Sequence, residues 1–331
     1  MLPEEMEEFF LSIGEPKFRA KQTFQRLHRG ERIENISNLS KALRERLVAE
    51  TLDSLPVVEE KLVSKLDGTV KYLFALEDGE CVESVLMKYE HGNTICVSSQ
   101  AGCRMGCTFC MTGRQGFHGS LSAADIVNQI LSVPESEQLT NIVFMGMGEP
   151  LDNMEALMPA LEILTAKWGF AWSPKRITVS SIGKLQALQQ LLTHTKVHVA
   201  ISIHSPFAAE RERLMPVERA YPIKEVVELL RGFDFSHQRR LSFEYTMFRG
   251  VNDSQRHCRA LAERIKGLDA RVNLIRFHAI PDSPLSPSDP DRMVEFRDTL
   301  NALGITATIR ASRGEDIMAA CGMLAGKQKQ G

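Results

Sequence analysis

The sequence lacks any long apolar run and any excess of charge of one sign. Its longest apolar stretch lies around Ile142 to Met147, far below the roughly 20 residues that a membrane-spanning helix needs. The 331 residues carry 40 basic and 42 acidic side chains, for a net charge of -2. This balance excludes a strongly basic nucleic-acid-binding coat but allows a local basic patch. The chain starts with acidic residues, whereas a signal peptide starts with basic ones, so we expect a soluble, cytoplasmic protein that has no membrane partner.

The sequence also lacks internal repeats, and its only biased tract is a short Lys/Gln tail. Hydrophobic residues at 43% and charged residues at 25% are ordinary for a globular chain, which excludes extended disorder and fibrous repeats. The length allows one large domain or two to three modest ones. The seven cysteines are an odd number in a long chain, which argues against a disulfide framework. Three of them lie within eight residues, and this clustering is the most informative feature of the sequence.

Residues 1–56 are predicted to form a small helical domain. Apolar residues recur at helical spacing at positions 6, 9, 10 and 13, and Ser40 is placed to cap a helix that starts at Lys41. The stretch carries many basic side chains, namely Lys17, Arg19, Lys21, Arg26, His28, Arg29, Arg32, Lys41, Arg44 and Arg46. Such a basic face is either a solvated helix surface or a contact surface for RNA, and the charge pattern alone leaves both interpretations open.

Residues 57–92 are predicted to form an antiparallel β extension. Asp67-Gly68 and Asp78-Gly79 each separate two runs of residues that favour β-strands. Asp-Gly between such runs is a strong hairpin signal. We therefore expect three short antiparallel strands between the helical start and the rest of the chain.

From residue 93 to residue 331, strand patterns alternate with helix patterns. The candidate strands are 94–98, 141–145, 176–180, 197–203, 241–247, 272–277 and 306–310, and helices are predicted between them, for example at 123–132, 154–167, 223–233 and 254–266. This alternation indicates a parallel sheet with helices outside it. The number of units fits an α/β fold with a full or partial (β/α) TIM-like barrel, and a doubly wound open sheet is the alternative. In both folds the functional residues lie at the C-terminal ends of the strands.

The three clustered cysteines, Cys103, Cys107 and Cys110, follow the first predicted barrel strand with the spacing CxxxCxxC. Thiolates suit iron–sulfur clusters or zinc. A structural zinc site needs four protein ligands, and the nearest candidate for the fourth is His118. Three thiolates leave one iron of a [4Fe–4S] cluster open to bind a cofactor or substrate, which makes the cluster the favoured interpretation. A chance grouping of structural cysteines is the remaining alternative.

The sequence resembles a known family at these and other residues. CxxxCxxC after the first strand, with an aromatic residue before the last cysteine, is similar to the radical S-adenosylmethionine signature. The combination of Cys96, the cysteine triplet, the segment Gly146-Met147-Gly148-Glu149-Pro150 and the segment Arg313-Gly314-Glu315-Asp316 before Cys321 resembles the RlmN/Cfr family of RNA adenosine methyltransferases. The resemblance covers nearly the whole chain. It implies a partial barrel of the radical S-adenosylmethionine type and a [4Fe–4S] cluster bound by Cys103, Cys107 and Cys110.

The resemblance also implies a set of contacts to S-adenosylmethionine. Glycines such as Gly148 let the backbone approach a ligand, and Glu149 can accept hydrogen bonds from an ammonium group. The other contacts that the family implies are Ser180, Ser202, Ile203, His204 and His278. His278 stands where ribosomal members of the family usually carry Asn, and an imidazole can still hydrogen-bond a ribose or an adenine.

The chemistry implied by the resemblance uses two S-adenosylmethionine molecules per turnover, because activating a methyl group for attack on an adenine ring carbon requires a cofactor. Cys321 accepts a methyl group, a radical forms on that group, and the radical adds to the adenine. Cys96 then removes the ring proton, and a Cys96–Cys321 disulfide forms as the protein–RNA crosslink resolves. Glu83 matches a glutamate proposed as a proton acceptor. Asp316 and Glu315 are expected to cap the turn that precedes Cys321.

Three functions remain open from the sequence. The first is methylation of carbon 2 of an adenosine in 23S rRNA, with tRNA as a further substrate. The second is methylation of carbon 8 of an rRNA adenosine, the antibiotic-resistance reaction of the same family. The third is an iron–sulfur protein without methyltransferase activity. The family implies reduced flavodoxin or ferredoxin as the electron donor, and we expect a monomer.

Overall fold

A computed structural model of the protein describes residues 2–28, 30–51, 55–235 and 240–326. Three helices open the chain: α1 (Pro3–Ser12), α2 (Lys17–Leu27) and α3 (Lys41–Glu50). Ser40 caps α3 as predicted, because its hydroxyl oxygen accepts a hydrogen bond from the Leu43 N–H at 3.2 Å. The helices share a small apolar core of their own that includes Phe10, Ile36 and Leu47. Of the basic residues predicted to mark this stretch, Arg29 lies outside the described residues, as does the Lys/Gln tail.

The β extension consists of three antiparallel strands: β1 (Val57–Val63), β2 (Val70–Ala75) and β3 (Cys81–Tyr89). The two turns contain Gly68 and Gly79, whose positive φ angles of 70° and 81° are readily adopted by glycine. The predicted hairpins are therefore confirmed. The structure adds that β3 pairs antiparallel with the first barrel strand, so the extension continues the barrel sheet.

The remaining elements alternate along the chain. They are β4 (Gly92–Cys96), β5 (Gln100–Gly102), α4 (Met111–Gln115), β6 (Phe117–Ser120), α5 (Ala123–Leu131), β7 (Leu139–Phe144), α6 (Met154–Thr165), β8 (Ile177–Ser181), α7 (Leu185–His194), β9 (His198–Ser202), α8 (Ala208–Leu214), α9 (Ile223–Arg231), β10 (Leu241–Met247), α10 (Gln255–Ile265), β11 (Ala270–Arg276), α11 (Pro290–Ala302) and β12 (Thr306–Ile309). Each of the seven predicted barrel strands corresponds to one observed strand, so the predicted alternation is confirmed.

The ten-stranded sheet has the order β1-β2-β3-β4-β7-β8-β9-β10-β11-β12, and all neighbours from β4 onward are parallel. The order follows the sequence without reversal, which excludes the doubly wound alternative, whose strand order reverses at a switch point. Among the described strands, β12 pairs with β11 alone and β4 pairs with β3 and β7. The barrel is therefore partial, as predicted.

The core lies between the sheet and its outer helices. Every residue of β10 is buried, as expected for a central parallel strand that is covered on both faces. Helix α9 buries Ile223, Val226, Val227 and Leu230, which follow the spacing of one helical face. This packing leaves the loops at the C-terminal strand ends to form the functional site. Across the described residues, none of the helices has the length and apolarity needed to cross a membrane.

Candidate active site

The cysteine triplet lies in a loop framed by the short hairpin of β5 and β6. The Cys103 N–H donates to the Gly116 carbonyl at 2.7 Å, and the Cys110 N–H donates to the Cys107 carbonyl at 3.2 Å. Gly102 has a positive φ of 70°, and a Cβ at this position would clash with the Gly116 carbonyl. The strand pairing and these hydrogen bonds fix the backbone of the loop that carries the three thiols.

The three thiols lie where thiolates would be poorly solvated, because Cys103 is buried and Cys107 and Cys110 are partly buried. Burial raises the pKa of Cys103 to about 12, and burial together with the neighbouring thiols raises the pKa of Cys107 well above its usual value. Burial also raises the pKa of Cys110. In such a poorly solvated environment, thiolates are stable only beside positive charge, and iron ions supply that charge. The donor set therefore fits an iron–sulfur cluster.

The zinc alternative receives less support from the geometry. Across the described part of the chain, no group of three or more His, Cys, Asp or Glu side chains is arranged to hold a single metal ion. His118, the proposed fourth zinc ligand, has its Nδ1 atom 3.5 Å from Glu80 Oε2 and does not line the cavity beside the cysteines. A four-iron cluster needs each thiolate on a separate iron atom rather than all thiolates on one ion.

A cavity with about 990 Å³ of empty space lies between the cysteine loop and the strand ends; we call it the cluster cavity. It brings together most of the residues that the sequence predicted for the cluster and the cofactor: Cys103, Cys107, Cys110, Gly148, Glu149, Ser180, Ser202 and His204. Ile203 lies behind this lining, where its carbonyl accepts a hydrogen bond from Arg211 Nε at 3.2 Å. The strand ends thus converge on one chamber beside the cysteines.

Glu149 is a buried carboxylate that lines the cluster cavity. Its Oε1 accepts from the Leu151 N–H at 3.1 Å, and its Oε2 accepts from the Ile182 N–H at 3.0 Å. Burial raises its pKa to about 7, so a bound cation would stabilise its charged form. The preceding Gly148 has a φ of +95°, and a Cβ there would lie 2.5 Å from Gln100 Cβ. The turn therefore requires glycine and presents a carboxylate that suits an ammonium group.

His204 is a fixed neutral imidazole in the same cavity. Its Nδ1 accepts a hydrogen bond from the Thr246 N–H at 2.9 Å, and its carbonyl accepts from Asn252 Nδ2 at 2.6 Å. Burial lowers the pKa of His204 to about 3. Because a neutral imidazole carries one N–H, the second ring nitrogen is then the hydrogen-bond donor. His204 can therefore donate to an oxygen or a ring nitrogen of a bound cofactor.

Cys96 and Cys321 line a second cavity with about 560 Å³ of empty space, which we call the cysteine-pair cavity. Both are free thiols; Cys96 is buried and Cys321 is exposed. Burial and the nearby Cys321 raise the pKa of Cys96 to about 12, against the opposing effect of Arg310. Arg310 and Cys321 line both cavities, so the two chambers meet at these residues.

Arg310 is held between the two chambers by contacts with the residue that follows β7 and with a residue of β10. Its Nη1 lies 3.3 Å from Met145 Sδ and 3.8 Å from Glu244 Oε2. The charges of Cys321 and Glu244 raise the pKa of Arg310, and it therefore stays cationic. The guanidinium supplies a positive charge beside both cysteines.

The segment 311–326, here the Cys321 loop, is fastened to the β extension. Glu83, predicted as a proton acceptor, is buried; its Oε1 lies 2.8 Å from Lys71 Nζ, and its Oε2 accepts from the N–H groups of Ala325 at 2.8 Å and Gly326 at 3.2 Å. Lys71 Nζ also donates to the Met318 carbonyl at 3.4 Å. The loop is thus attached near its end by one buried ion pair.

The prediction that Asp316 and Glu315 cap the turn before Cys321 is wrong, because no side chain among the described residues caps the short helical turn Glu315–Ile317. Glu315 lies beside His278, and Asp316 has distant partners. Its carboxylate accepts hydrogen bonds from Ser64 Oγ at 2.7 Å and from the Lys65 N–H at 2.9 Å, in the turn between β1 and β2. These partners are 252 and 251 residues away in the sequence. The carboxylate therefore fastens the Cys321 loop to the extension instead of capping its own turn.

His278 lies in the cysteine-pair cavity rather than in the cluster cavity. Its Nε2 lies 2.9 Å from Ser312 Oγ, and its Nδ1 lies 3.2 Å from Glu315 Oε1. These contacts join the end of β11 to the Cys321 loop. A contact between His278 and S-adenosylmethionine stays a prediction.

Comparisons with known proteins agree with this arrangement. Residues 1–52 match the family described as the ribosomal RNA large subunit methyltransferase N-terminal domain, and residues 97–261 match the radical SAM superfamily. A protein of Parabacteroides distasonis named probable dual-specificity RNA methyltransferase RlmN is 51% identical over 326 residues, covering 98% of this chain and 95% of the relative. A Bacteroides fragilis protein of the same name is 52% identical over 325 residues, covering 97% of this chain and 93% of the relative.

The chain belongs to the RlmN family. A crystal structure of a radical SAM methyltransferase from Sphaerobacter thermophilus matches it with a TM-score of 0.93 and 37% identity, over 98% of this chain and 97% of the other. The RlmN-family assignment confirms the radical SAM fold and the predicted enzyme class. It removes the alternative of an iron–sulfur protein without methyltransferase activity.

Two functional cations of this RlmN-family chain, the partly buried Arg310 and the fully buried Arg211, were not predicted from the sequence. Arg310 stands at the end of an ordinary strand pattern, and nothing in the sequence shows that it faces both cysteines. Arg211 is fully buried on α8, where it pairs with Glu218 and donates to the carbonyls of Ile182 at 3.0 Å and Ser202 at 3.1 Å. Its helix carries alternating charges that are typical of a solvated surface, so no sequence pattern could have identified its role of joining β8 to β9.

Proposed function

We propose that this protein methylates carbon 2 of an adenosine in 23S rRNA, and also in tRNA, with a [4Fe–4S] cluster and two S-adenosylmethionine molecules per turnover. The observation that carries the proposal is the meeting of two chambers at Cys321 and Arg310. One chamber contains the three cluster cysteines, and the other contains the cysteine pair. Membership of the RlmN family supports the choice of carbon 2, and the name of its relatives, probable dual-specificity RNA methyltransferase, supports more than one RNA substrate.

The cluster cavity supplies the binding groups for the cofactors. Cys103, Cys107 and Cys110 hold the cluster, which, when bound, supplies the electron for radical chemistry that no amino-acid side chain provides. Glu149 binds the ammonium group of S-adenosylmethionine, and the close turn at Gly148 lets the backbone approach it. Further polar contacts come from Ser180, Ser202 and His204. The contacts proposed for Ile203 and His278 require the cofactor to reach beyond the lining of this cavity.

The cysteine-pair cavity carries the methyl group to the RNA. Cys321 is exposed on a loop, so its sulfur can accept a methyl group and present it to an adenine. Cys96 removes the ring proton and then forms a transient disulfide with Cys321 as the crosslink between protein and RNA resolves. Arg310 favours the thiolate form of Cys96, which burial disfavours.

Glu83 is proposed as a proton acceptor during this sequence. In the structure its charge is balanced by Lys71 and by two backbone N–H groups of the Cys321 loop. Proton uptake by Glu83 would weaken these contacts. The proton transfer and the release of the loop are therefore expected to be coupled.

We propose that the chain has three domains, of which the first contacts RNA. We propose residues 1–56 as a helical accessory domain that contacts RNA, residues 57–92 as the β extension and residues 93–331 as the catalytic barrel. Because the net charge is -2, RNA affinity depends on local basic surfaces, and the target base is unstacked to enter the cavity. We further propose a cytoplasmic monomer that takes electrons from reduced flavodoxin or ferredoxin.

Mass spectrometry of RNA nucleosides tests the proposal directly. Cells that lack the protein should lose 2-methyladenosine from 23S rRNA and from tRNA, and the wild-type gene should restore it. A variant with Cys321→Ala should not restore it, whereas Cys258→Ala, a change at a buried cysteine outside both cavities, should. Loss of 8-methyladenosine instead, or no change in either nucleoside, would overturn the assignment of carbon 2.

A further inference from the structure

Arg313 has no role in the function proposed above, although it begins the sequence segment that precedes Cys321. The structure places its guanidinium over the ring of Tyr89, with its carbon Cζ 4.9 Å from the ring centroid. Arg313 lines the cysteine-pair cavity together with Cys96 and Cys321, and it does not line the cluster cavity. It therefore faces the chamber that is assigned to the RNA and not the one assigned to the cofactor.

The charge of Arg313 is unpaired within the part of the chain that the structure describes. Its guanidinium has no hydrogen bond or ion pair there, and its Nε is a buried nitrogen without a hydrogen-bond partner. The two acidic residues that follow it are engaged elsewhere, because Asp316 accepts from Ser64 and Lys65 and Glu315 lies beside His278. A guanidinium has five N–H groups and no acceptor, so it is suited to an anion from outside the chain.

The backbone that carries Arg313 is fixed. Gly314 has a positive φ of +62°, and a Cβ there would lie 2.7 Å from Ala319 Cβ and 2.9 Å from Thr69 Cγ2. The Gly314 N–H donates to Asp67 Oδ2 at 3.0 Å. The arginine is thus held by a packed turn on one side and by the Tyr89 ring on the other, unlike a solvated surface arginine.

We infer that Arg313, oriented by Tyr89, binds a backbone phosphate of the substrate RNA beside the target adenosine. This inference rests on the proposed function. The planar guanidinium matches the geometry of a phosphate through two parallel hydrogen bonds. The aromatic face stabilises the cation without occupying its N–H groups, and 41% of the Tyr89 residue remains exposed. A phosphate held here fixes the nucleotide whose base enters the chamber of Cys96 and Cys321.

Binding of a substrate RNA fragment to the cluster-loaded full chain tests the inference. Arg313→Met should weaken binding about tenfold and should lower the slope of log affinity against log salt by roughly 0.7. Arg313→Lys should fall between Arg313→Met and wild type, because it keeps the charge and loses the paired donors. Tyr89→Phe should bind as wild type, and Tyr89→Ala should bind more weakly. Arg297→Met, a change at a partly exposed arginine on α11, serves as the matched control.

The outcomes separate the possible roles of Arg313. Wild-type affinity and an unchanged salt slope in Arg313→Met would overturn the inference while leaving the proposed function intact. Weaker binding of S-adenosylmethionine to Arg313→Met in the absence of RNA would overturn it in favour of a cofactor contact. Loss of RNA binding in Arg313→Lys to the same extent as in Arg313→Met, with a lowered melting temperature in both, would indicate a structural role only. Failure of the wild-type chain itself to bind and methylate RNA would overturn both the inference and the proposed function.

Discussion

Cys96 and Cys321 differ in their surroundings although they share one cavity. Cys321 is exposed and lies on a loop, whereas Cys96 is buried in a strand end and its pKa is raised to about 12. The exposed sulfur suits transfer of a group to a large substrate, and the buried one suits a single contact with the partner cysteine. Removing Cys96 should therefore stop the reaction after the carbon–carbon bond has formed.

Cys96→Ala is expected to trap a covalent adduct in which Cys321 is joined to RNA through the methylene carbon. The adduct should run as a shifted band on a denaturing gel, and nuclease treatment should convert it to a protein with added nucleotide mass. Cys96→Ala/Cys321→Ala should give no band, because the second change removes the attachment point. Absence of the band in the single variant, while its reductive cleavage of S-adenosylmethionine is intact, would contradict the proposed role of Cys96.

Individual contacts were harder to predict than elements. The motif segments predicted Cys103, Cys107, Cys110 and Glu149 as site residues, because their residue types and spacing are tied to chemistry, and the structure places all four around one cavity. The positions of Arg310 and His278 followed from no pattern, since both depend on how strand ends converge. The same holds for Asp316, whose partners lie in a turn more than 250 residues away and depend on the tertiary fold.

At the scale of elements, the strands and helices were predicted well because each has its own periodicity. The predicted 241–247 strand is observed at Leu241–Met247, and the other barrel strands differ by a few residues at their ends. The pairing of β3 with β4 was not predictable, because hairpin signals describe neighbours within the extension only. This pairing matters, since it places Lys71 and Glu83 beside the Cys321 loop.

Lys71→Met should loosen the Cys321 loop. The change leaves the buried Glu83 carboxylate without its cation, and breaking such a pair costs about 3 kcal/mol. We expect Cys321 to react faster with an alkylating reagent, measured by residue-resolved mass spectrometry, and the midpoint of urea unfolding to fall. Adding Glu83→Gln to Lys71→Met should recover part of the lost stability, because no uncompensated charge then remains.

Lys88→Met is the control for this prediction, since Lys88 is also on the extension but is half exposed and 4.0 Å from its acidic neighbour. Equal alkylation rates for Cys321 in Lys71→Met, Lys88→Met and the wild type would show that the ion pair does not hold the loop. Faster modification of the buried Cys258 in Lys71→Met would instead indicate general unfolding.

At the scale of the whole molecule, the helical start packs against the barrel while keeping a core of its own. Phe24 of α2 meets Trp168 at a centroid distance of 5.0 Å, and His28 meets Phe170 at 5.7 Å. Trp168 and Phe170 lie between α6 and β8, and neither lines the cluster cavity. The domain boundaries themselves stay a prediction, and so does an RNA contact through the exposed basic side chains of α2, of α3 and of the segment between them.

Neutralising exposed basic residues on the helical start should weaken RNA binding without affecting cofactor chemistry. The variant Lys21→Gln/Arg32→Gln/Lys41→Gln changes three exposed side chains, and each lost phosphate contact lowers the salt slope by roughly 0.7. The value of kcat/KM for RNA methylation should fall, whereas reductive cleavage of S-adenosylmethionine without RNA should stay at the wild-type rate. The control Lys196→Gln/Lys224→Gln/Lys266→Gln removes the same charge from exposed positions elsewhere on the barrel. An equal loss of methylation in both triple variants would mean that net charge, and not the helical surface, governs RNA affinity.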